Sequence, residues 1–204
     1  MIIDASSHPL ARARQSAAAV LVALLAACGG GGSDPQPAAA APAPPASGPS
    51  GGAGATATGT CSLANFNAGV LARVNQYRAA GASCGSRGAY APAQALSWHL
   101  ALTQAADSHS RDMVANNFFS HTGANGSSAG QRITAAGYNW SSYGENIAAG
   151  QASINEVVDG WMASDGHCAN IMNAAFVDIG VACMPGSAST AYRTYWTMDL
   201  GRSQ

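Results

Sequence analysis

The residues whose types could support chemistry are five histidines, at positions 8, 99, 109, 121 and 167, and a small set of carboxylates. His8 precedes the apolar run near the N-terminus and falls in a segment expected to be removed. His99 and His109 lie in one helical stretch, about 80° apart around the axis and about 15 Å along it, so they cannot share one metal ion. Both are read as structural or surface histidines. His121, in "NNFFSHTG", and His167, in "SDGHCA", differ because each follows a predicted helix close to a glycine. Functional side chains are commonly displayed at helix ends and loops. Between them, "YGENIAAG" places Glu145 at the mouth of an apolar strand, where a carboxylate is costly unless it is paired or hydrogen-bonded. Two imidazoles and a carboxylate are the donor types that suit zinc or a similar divalent cation, so His121, Glu145 and His167 form a candidate metal cluster. No local H-E-x-x-H or C-x-x-C element fixes their geometry. Ser120 and Ser164 neighbour these histidines, but no serine sits in a G-x-S-x-G elbow. Ser120 is more simply a hydrogen bonder at a helix end.

These side chains must be positioned by the elements around them. Phe66, Val70, Val74 and Tyr77 repeat at helical spacing, and Gly81 offers a stop. A longer helix fits "SWHLALTQAADSHSRDMVANN", with Ser97 as N-cap and an end near Asn116 or Asn117. Ser128 with Gln131, and Ser153 with Glu156, have capping-box spacing and start two further helices. "YGENIAA", "FVDIGVACM" and "YRTYWTMDL" read as strands, the last two joined as a hairpin across "PGSASTA". Helices first and strands late point to an α+β or layered α-β-α domain.

The first sixty residues have a different character. In "ARARQSAAAVLVALLAAC" two arginines precede an apolar run of about eleven residues, the length of a signal-peptide core and too short to span a bilayer. The run ends in "LAAC", which resembles the lipobox of bacterial lipoproteins, so residues 1–27 are expected to be cleaved and Cys28 lipidated. Residues 28–60 then hold the anchor and a Gly/Ala/Pro-rich linker with no aromatics, a tether of roughly 30 Å. Residues 61–204 form the folded domain. Of five cysteines, an anchor at Cys28 leaves Cys61, Cys84, Cys168 and Cys183, an even set that implies disulfides in an oxidising compartment. The sequence does not choose among the connectivities. The expectation here is Cys61 with Cys84 and Cys168 with Cys183, each clipping one local segment. A net charge of −1 with no lysine gives no footprint for nucleic acid.

The segments "FFSHTG", "YGENIAAG", "EVVDGWMASDGHCANIM", "FVDIGVAC" and "YWTMDLG" occur in the order and spacing of the CAP superfamily, or SCP-like domains. The chain is most similar to the bacterial branch, from about Asn67 to Gly201. The resemblance implies a three-layer α-β-α sandwich with a large cleft, lined in many members by two His and two Glu. His121, Glu145 and His167 match three of these. Where the second Glu is expected, counting from Trp161, this sequence has Ser164, with Asp165 adjacent. What the resemblance implies for function is a binding module of the cell envelope. Its groove would take a lipid-like or cell-wall ligand, and its cleft would admit a divalent cation such as zinc. A metal-dependent hydrolase with Glu145 as base is the alternative, and a structural scaffold the second. The anchor implies membrane attachment outside the cytoplasm, at the outer membrane because Gly29 rather than Asp follows Cys28.

Overall fold

The computed structural model describes residues 2–3 and 59–204; Cys28, the leader and most of the linker lie outside the described residues. The helices are α1 (Phe66–Ala80), α2 (Leu100–Ala115), α3 (Ala129–Ala135), α4 (Ile154–Met162) and α5 (Asp165–Met172). The strands are β1 (Ile2–Ile3), β2 (Ala82–Ser83), β3 (Ala89–Tyr90), β4 (Ser97–Trp98), β5 (Trp140–Ala149), β6 (Asp178–Pro185) and β7 (Thr194–Ser203). The main sheet has the order β1-β5-β7-β6-β4, antiparallel except for the β4–β6 pair, and β2 with β3 forms a small second sheet. β1 falls within the segment read as a signal peptide, so cleavage at Cys28 would bare the outer edge of β5.

Alternation along the strands builds the layers. Trp196, Met198 and Leu200 of β7, with Ile179, Val181 and Cys183 of β6, face a core shared with Phe66, Val70 and Val74 of α1, Val157, Val158 and Trp161 of α4, and Ile171 of α5. The intervening residues turn to the opposite face, where Leu102 and Ala105 of α2 pack with Ile133 of α3 and with Tyr138, and Met113 packs with Ile147 and Tyr195. The result is the expected α-β-α sandwich, with α1, α4 and α5 on one side and α2 and α3 on the other. Period-two burial on both faces is what a central sheet covered by helices requires. At Gly180 a Cβ would collide with the backbone of Leu102 and Thr103, so glycine lets α2 lie directly on β6.

The expected helices and the β6–β7 hairpin form, and the capping box at Ser128 and Gln131 is complete. Three details differ. Ser97 does not cap α2: it pairs in β4 with Asp178, and the cap is His99, whose Nδ1 accepts from the Ala101 N–H at 3.2 Å. An imidazole lone pair can do the work of a cap oxygen. His167 is not in a loop but in the first turn of α5. The buried stripe of α1 continues from Phe66, Val70 and Val74 to Arg78, while Tyr77 bonds Asp159 at 2.9 Å.

The disulfides are Cys61–Cys183 and Cys84–Cys168, not the local pairs expected from sequence. The cause lies in the sheet. Thr60 forms a parallel bridge with Cys183, and the Cys61 N–H donates to the Cys183 carbonyl at 3.1 Å, which lays the chain before α1 along β6. Cys168 is turned toward the helical turn at Gly85–Arg87, beside Cys84, where Asp165 also accepts from the Ser86 N–H and hydroxyl at 2.8 and 2.6 Å.

Candidate functional site

His121 and Glu145 come together at the α2–α3 face of the sheet. His121 Nδ1 lies 2.7 Å from Glu145 Oε1. Arg132, on α3, donates through its Nη2 to Glu145 Oε2 at 2.6 Å and to the His121 carbonyl at 3.0 Å, and through its Nη1 to the Ser127 carbonyl at 2.8 Å. The carboxylate is 2% exposed and the guanidinium side chain 8%, whereas the His121 side chain keeps 24% exposure. Burial pushes the Glu145 carboxyl up, but the hydrogen bond from His121 and the combined pull of the neighbouring basic side chains, Arg132 among them, outweigh it and hold Glu145 below its usual range. An ionised carboxylate only accepts, so His121 carries its proton on Nδ1.

His109 supports this arrangement from beneath. It is fully buried on α2, and its Nε2–H donates to the Ser120 carbonyl at 2.9 Å, fixing the residue before His121. Burial presses its basicity down, so the ring is neutral and its buried Nδ1 has no partner. The expected structural role of His109 is thus accompanied by a positioning one.

His167 is placed from α5. Ser164 occupies the N-cap, but its hydroxyl lies 2.8 Å from His167 Nδ1 instead of capping the helix. Asn146, the residue after Glu145, donates to the His167 carbonyl at 3.1 Å and accepts from Asn170 at 2.9 Å. The imidazole of His167 is fully buried. Asp165, the other candidate for the missing carboxylate, points to Ser86, whose two hydrogen bonds hold its carboxyl below the usual range. Of the residues singled out in the sequence, the structure therefore joins His121 to Glu145 and Ser164 to His167, and sends Asp165 elsewhere.

The donor set does not fit a resident metal that uses Glu145. Both carboxylate oxygens are engaged, one by His121 and one by Arg132, so a fixed cation already touches the carboxylate. Among the described residues no three His, Cys, Asp or Glu side chains are arranged to hold an ion.

Arg132, Asn146 and Asp199 do not stand out in the sequence. Arg132 follows the capping residue Gln131 on a short helix, where an arginine ordinarily faces solvent. Asp199 stands directly across the ladder from Glu145, 1% exposed, with neither carboxylate oxygen hydrogen-bonded. A signal for it exists: a carboxylate inside the apolar run "YWTMDLG" needs a partner or a proton. Burial, reinforced by the charge of Glu145 and opposed by Arg132, pushes the Asp199 carboxyl well above its usual range.

A folded-state value raised above the unfolded one means that the native protein binds the extra proton. Asp199 therefore contributes stability that is fully present below the unfolded value, near pH 4, and lost as pH rises through the folded value. Asp199→Asn is expected to match wild type near pH 4 and to exceed it by roughly 1–3 kcal/mol at neutral pH, the scale of an uncompensated buried polar group. Urea unfolding across that range reads the difference. A gap that does not vary with pH would rule out a proton held on Asp199.

A cavity of about 1060 Å³ opens between α2 and α3. Gln104, Ser108, Asp112 and Asn116 line it at four-residue intervals along one face of α2, with Gln131 and Arg132 opposite. Asp112 is internally engaged, accepting from the Ala124 N–H and the Asn116 amide, each at 2.8 Å. Arg132 joins this cavity to Glu145.

The chain is similar over 80 residues to the uncharacterized protein YkwD of Bacillus subtilis, at 40% identity, covering 39% of this chain and 31% of that one. It is similar over 86 residues to the uncharacterized membrane protein YlbC of the same organism, at 33% identity, covering 42% and 25%. It thus spans less than a third of either relative's length. Among solved structures, an extracellular protein containing an SCP domain from Bacillus anthracis matches with a TM-score of 0.48 at 30% identity, over 54% of this chain and 35% of that one. An outer surface protein of Borrelia burgdorferi matches with a TM-score of 0.49 at 21% identity, over 55% and 80%. The family model for the cysteine-rich secretory protein family matches residues 71–200, well over half of the chain, and the chain belongs to this family, CAP.

Proposed function

We propose that this protein is an extracytoplasmic binding module, tethered to a membrane through Cys28, that recognises the hydroxyl- and amide-rich glycan of the cell wall. The cavity between α2 and α3 carries this reading. Its walls present amides and hydroxyls, and its two charged side chains are already bonded within the protein. Such groups both donate and accept, which suits sugar hydroxyls and N-acetyl groups. Its volume is near the upper end of small-molecule sites and suits a short oligosaccharide. Between the two ligand classes expected from sequence, the surface favours the polar one. Leu100 is the exposed large hydrophobic side chain among the described residues, which supports a polar ligand over an apolar one. Two disulfides support an oxidising compartment outside the cytoplasm, and outer-membrane sorting follows from Gly29 in a cell with two membranes.

Co-sedimentation of the protein starting at Gly29, which carries neither leader nor lipid, with insoluble peptidoglycan and, separately, with phospholipid vesicles tests the proposal. Binding to peptidoglycan and not to vesicles is expected, with at least a tenfold loss in Ser108→Trp, which fills the cavity from an exposed position. Vesicle binding alone, or full peptidoglycan binding by Ser108→Trp, would overturn it. Cys28→Ser should also abolish lipid attachment and change processing and membrane association in the cell.

A further inference from the structure

We propose that Arg132 is the resident cation of the His121–Glu145 site, a guanidinium standing where a divalent metal would otherwise neutralise the carboxylate. The argument is the closed ring of contacts. The Arg132 Nη2 donates to both Glu145 Oε2 and the His121 carbonyl, and the His121 Nδ1–H returns to Glu145 Oε1. One nitrogen thus fixes the carboxylate and the backbone of the histidine together. The other terminal nitrogen donates to the Ser127 carbonyl, immediately before the Ser128 cap of α3, so the guanidinium is held by the helix that carries it. A planar fork with several donors reaches these acceptors at once, whereas an ammonium would have to choose among them.

A metal using Glu145 must break this ring and would stand against a buried positive charge. Removing the guanidinium has the opposite effect: it leaves an ionised carboxylate, 2% exposed, beside an imidazole, and that pair recruits a cation. Arg132 is therefore a positioning residue that neutralises Glu145 without a metal and keeps the proton of His121 on Nδ1. Arg132 also lines the cavity, but the inference does not rest on the glycan reading, because its test reads zinc and the His121 ring and not glycan binding.

The test uses zinc alone. Calorimetric titration of wild type and Arg132→Met is paired with the ¹⁵N signals of the His121 ring, which report proton and metal on each nitrogen. Wild type is expected to keep its protonated Nδ1 signature throughout the titration. Arg132→Met should bind zinc at least tenfold more tightly, and His121→Ala in that background should remove the gain. Arg132→Lys, which keeps the charge, should bind no better than wild type. If Arg132→Met does not fold, wild type decides: an unchanged Nδ1–H signal of His121 under excess zinc supports the proposal. Zinc that displaces the Nδ1 proton of His121 in wild type, or no gain in a folded Arg132→Met, overturns it.

Discussion

Replacing Cys61 and Cys183 together by serine is expected to lower the unfolding free energy by about 5 kcal/mol. The bridge joins residues 122 positions apart, and the chain-entropy relation gives nearly that value for a loop of about 100 residues. Cys84–Cys168, at a separation of 84, is expected to be worth nearly as much. Domains of this size have a total stability of about 5–15 kcal/mol, so losing both bridges would leave the native state marginal or unpopulated. Urea unfolding under oxidising conditions measures the single-bridge loss, and a thiol count separates the pairings. With the observed connectivity, Cys61→Ser with Cys183→Ser exposes no thiol from Cys84 or Cys168 after unfolding. With local pairs it would expose both. Cys61→Ser with Cys84→Ser gives the converse pattern, so two additional thiols in the first variant would refute the bridges described here.

The difference between the expected and observed bridges has a definite physical source. Proximity along the chain is a poor guide to proximity in space where a mixed sheet brings distant segments together. Cys183 points into the α1 layer because β6 alternates, and the residues before α1 run beside it. No local pattern encodes that contact. The helices, in contrast, are legible because their signals are local. The Ser128–Gln131 box, the Ser153 cap and the Phe66–Val70–Val74 stripe each lie within a few turns. α5 escapes such a reading because Ser164, at its N-cap, spends its hydroxyl on His167 and leaves no side-chain cap to recognise.

The site is legible in its histidine–carboxylate pair and not in its neutralisation. His121 and Glu145 are 24 residues apart, and the need of a strand carboxylate for a partner points from one to the other. Arg132 and Asp199 are as much part of the environment of Glu145. Their roles depend on which face of α3 and of β7 turns inward, and that is set by packing against α2 and β5. The sequence therefore names the donors of the site and leaves its charge balance underdetermined. A divalent cation is the natural expectation for His121, Glu145 and His167 when Arg132 is not in view.

Arg78→Met is expected to destabilise the protein by about 3–5 kcal/mol, although Met keeps the volume and the apolar character of its surroundings. Arg78 is fully buried and occupies the fourth place of the α1 stripe, where the pattern calls for another hydrophobic residue. Its Nε donates to the Gln94 carbonyl at 2.7 Å, its Nη1 to those of Ile171 and Asn173 at 2.7 and 3.0 Å, and its Nη2 to that of Phe176 at 3.2 Å. Two of these acceptors belong to the C-terminal end of α5, whose last carbonyls lack helical partners, and a cation there also meets the negative end of the helix. Burial lowers the pKa of the guanidinium, but from so high a starting point that it stays charged at neutral pH. Met would remove the donor from the Gln94, Ile171 and Phe176 carbonyls, while that of Asn173 keeps the Phe176 N–H. Lysine keeps the charge but not the fork, so Arg78→Lys should recover only part of the stability. Denaturant unfolding of the three proteins measures this order. A Met variant within 1 kcal/mol of wild type, roughly the worth of one ordinary hydrogen bond, would show that water or rearranged backbone replaces the guanidinium, and that the end of α5 does not depend on α1. The expected order instead makes one arginine the link between the first helix and the segment that presents His167.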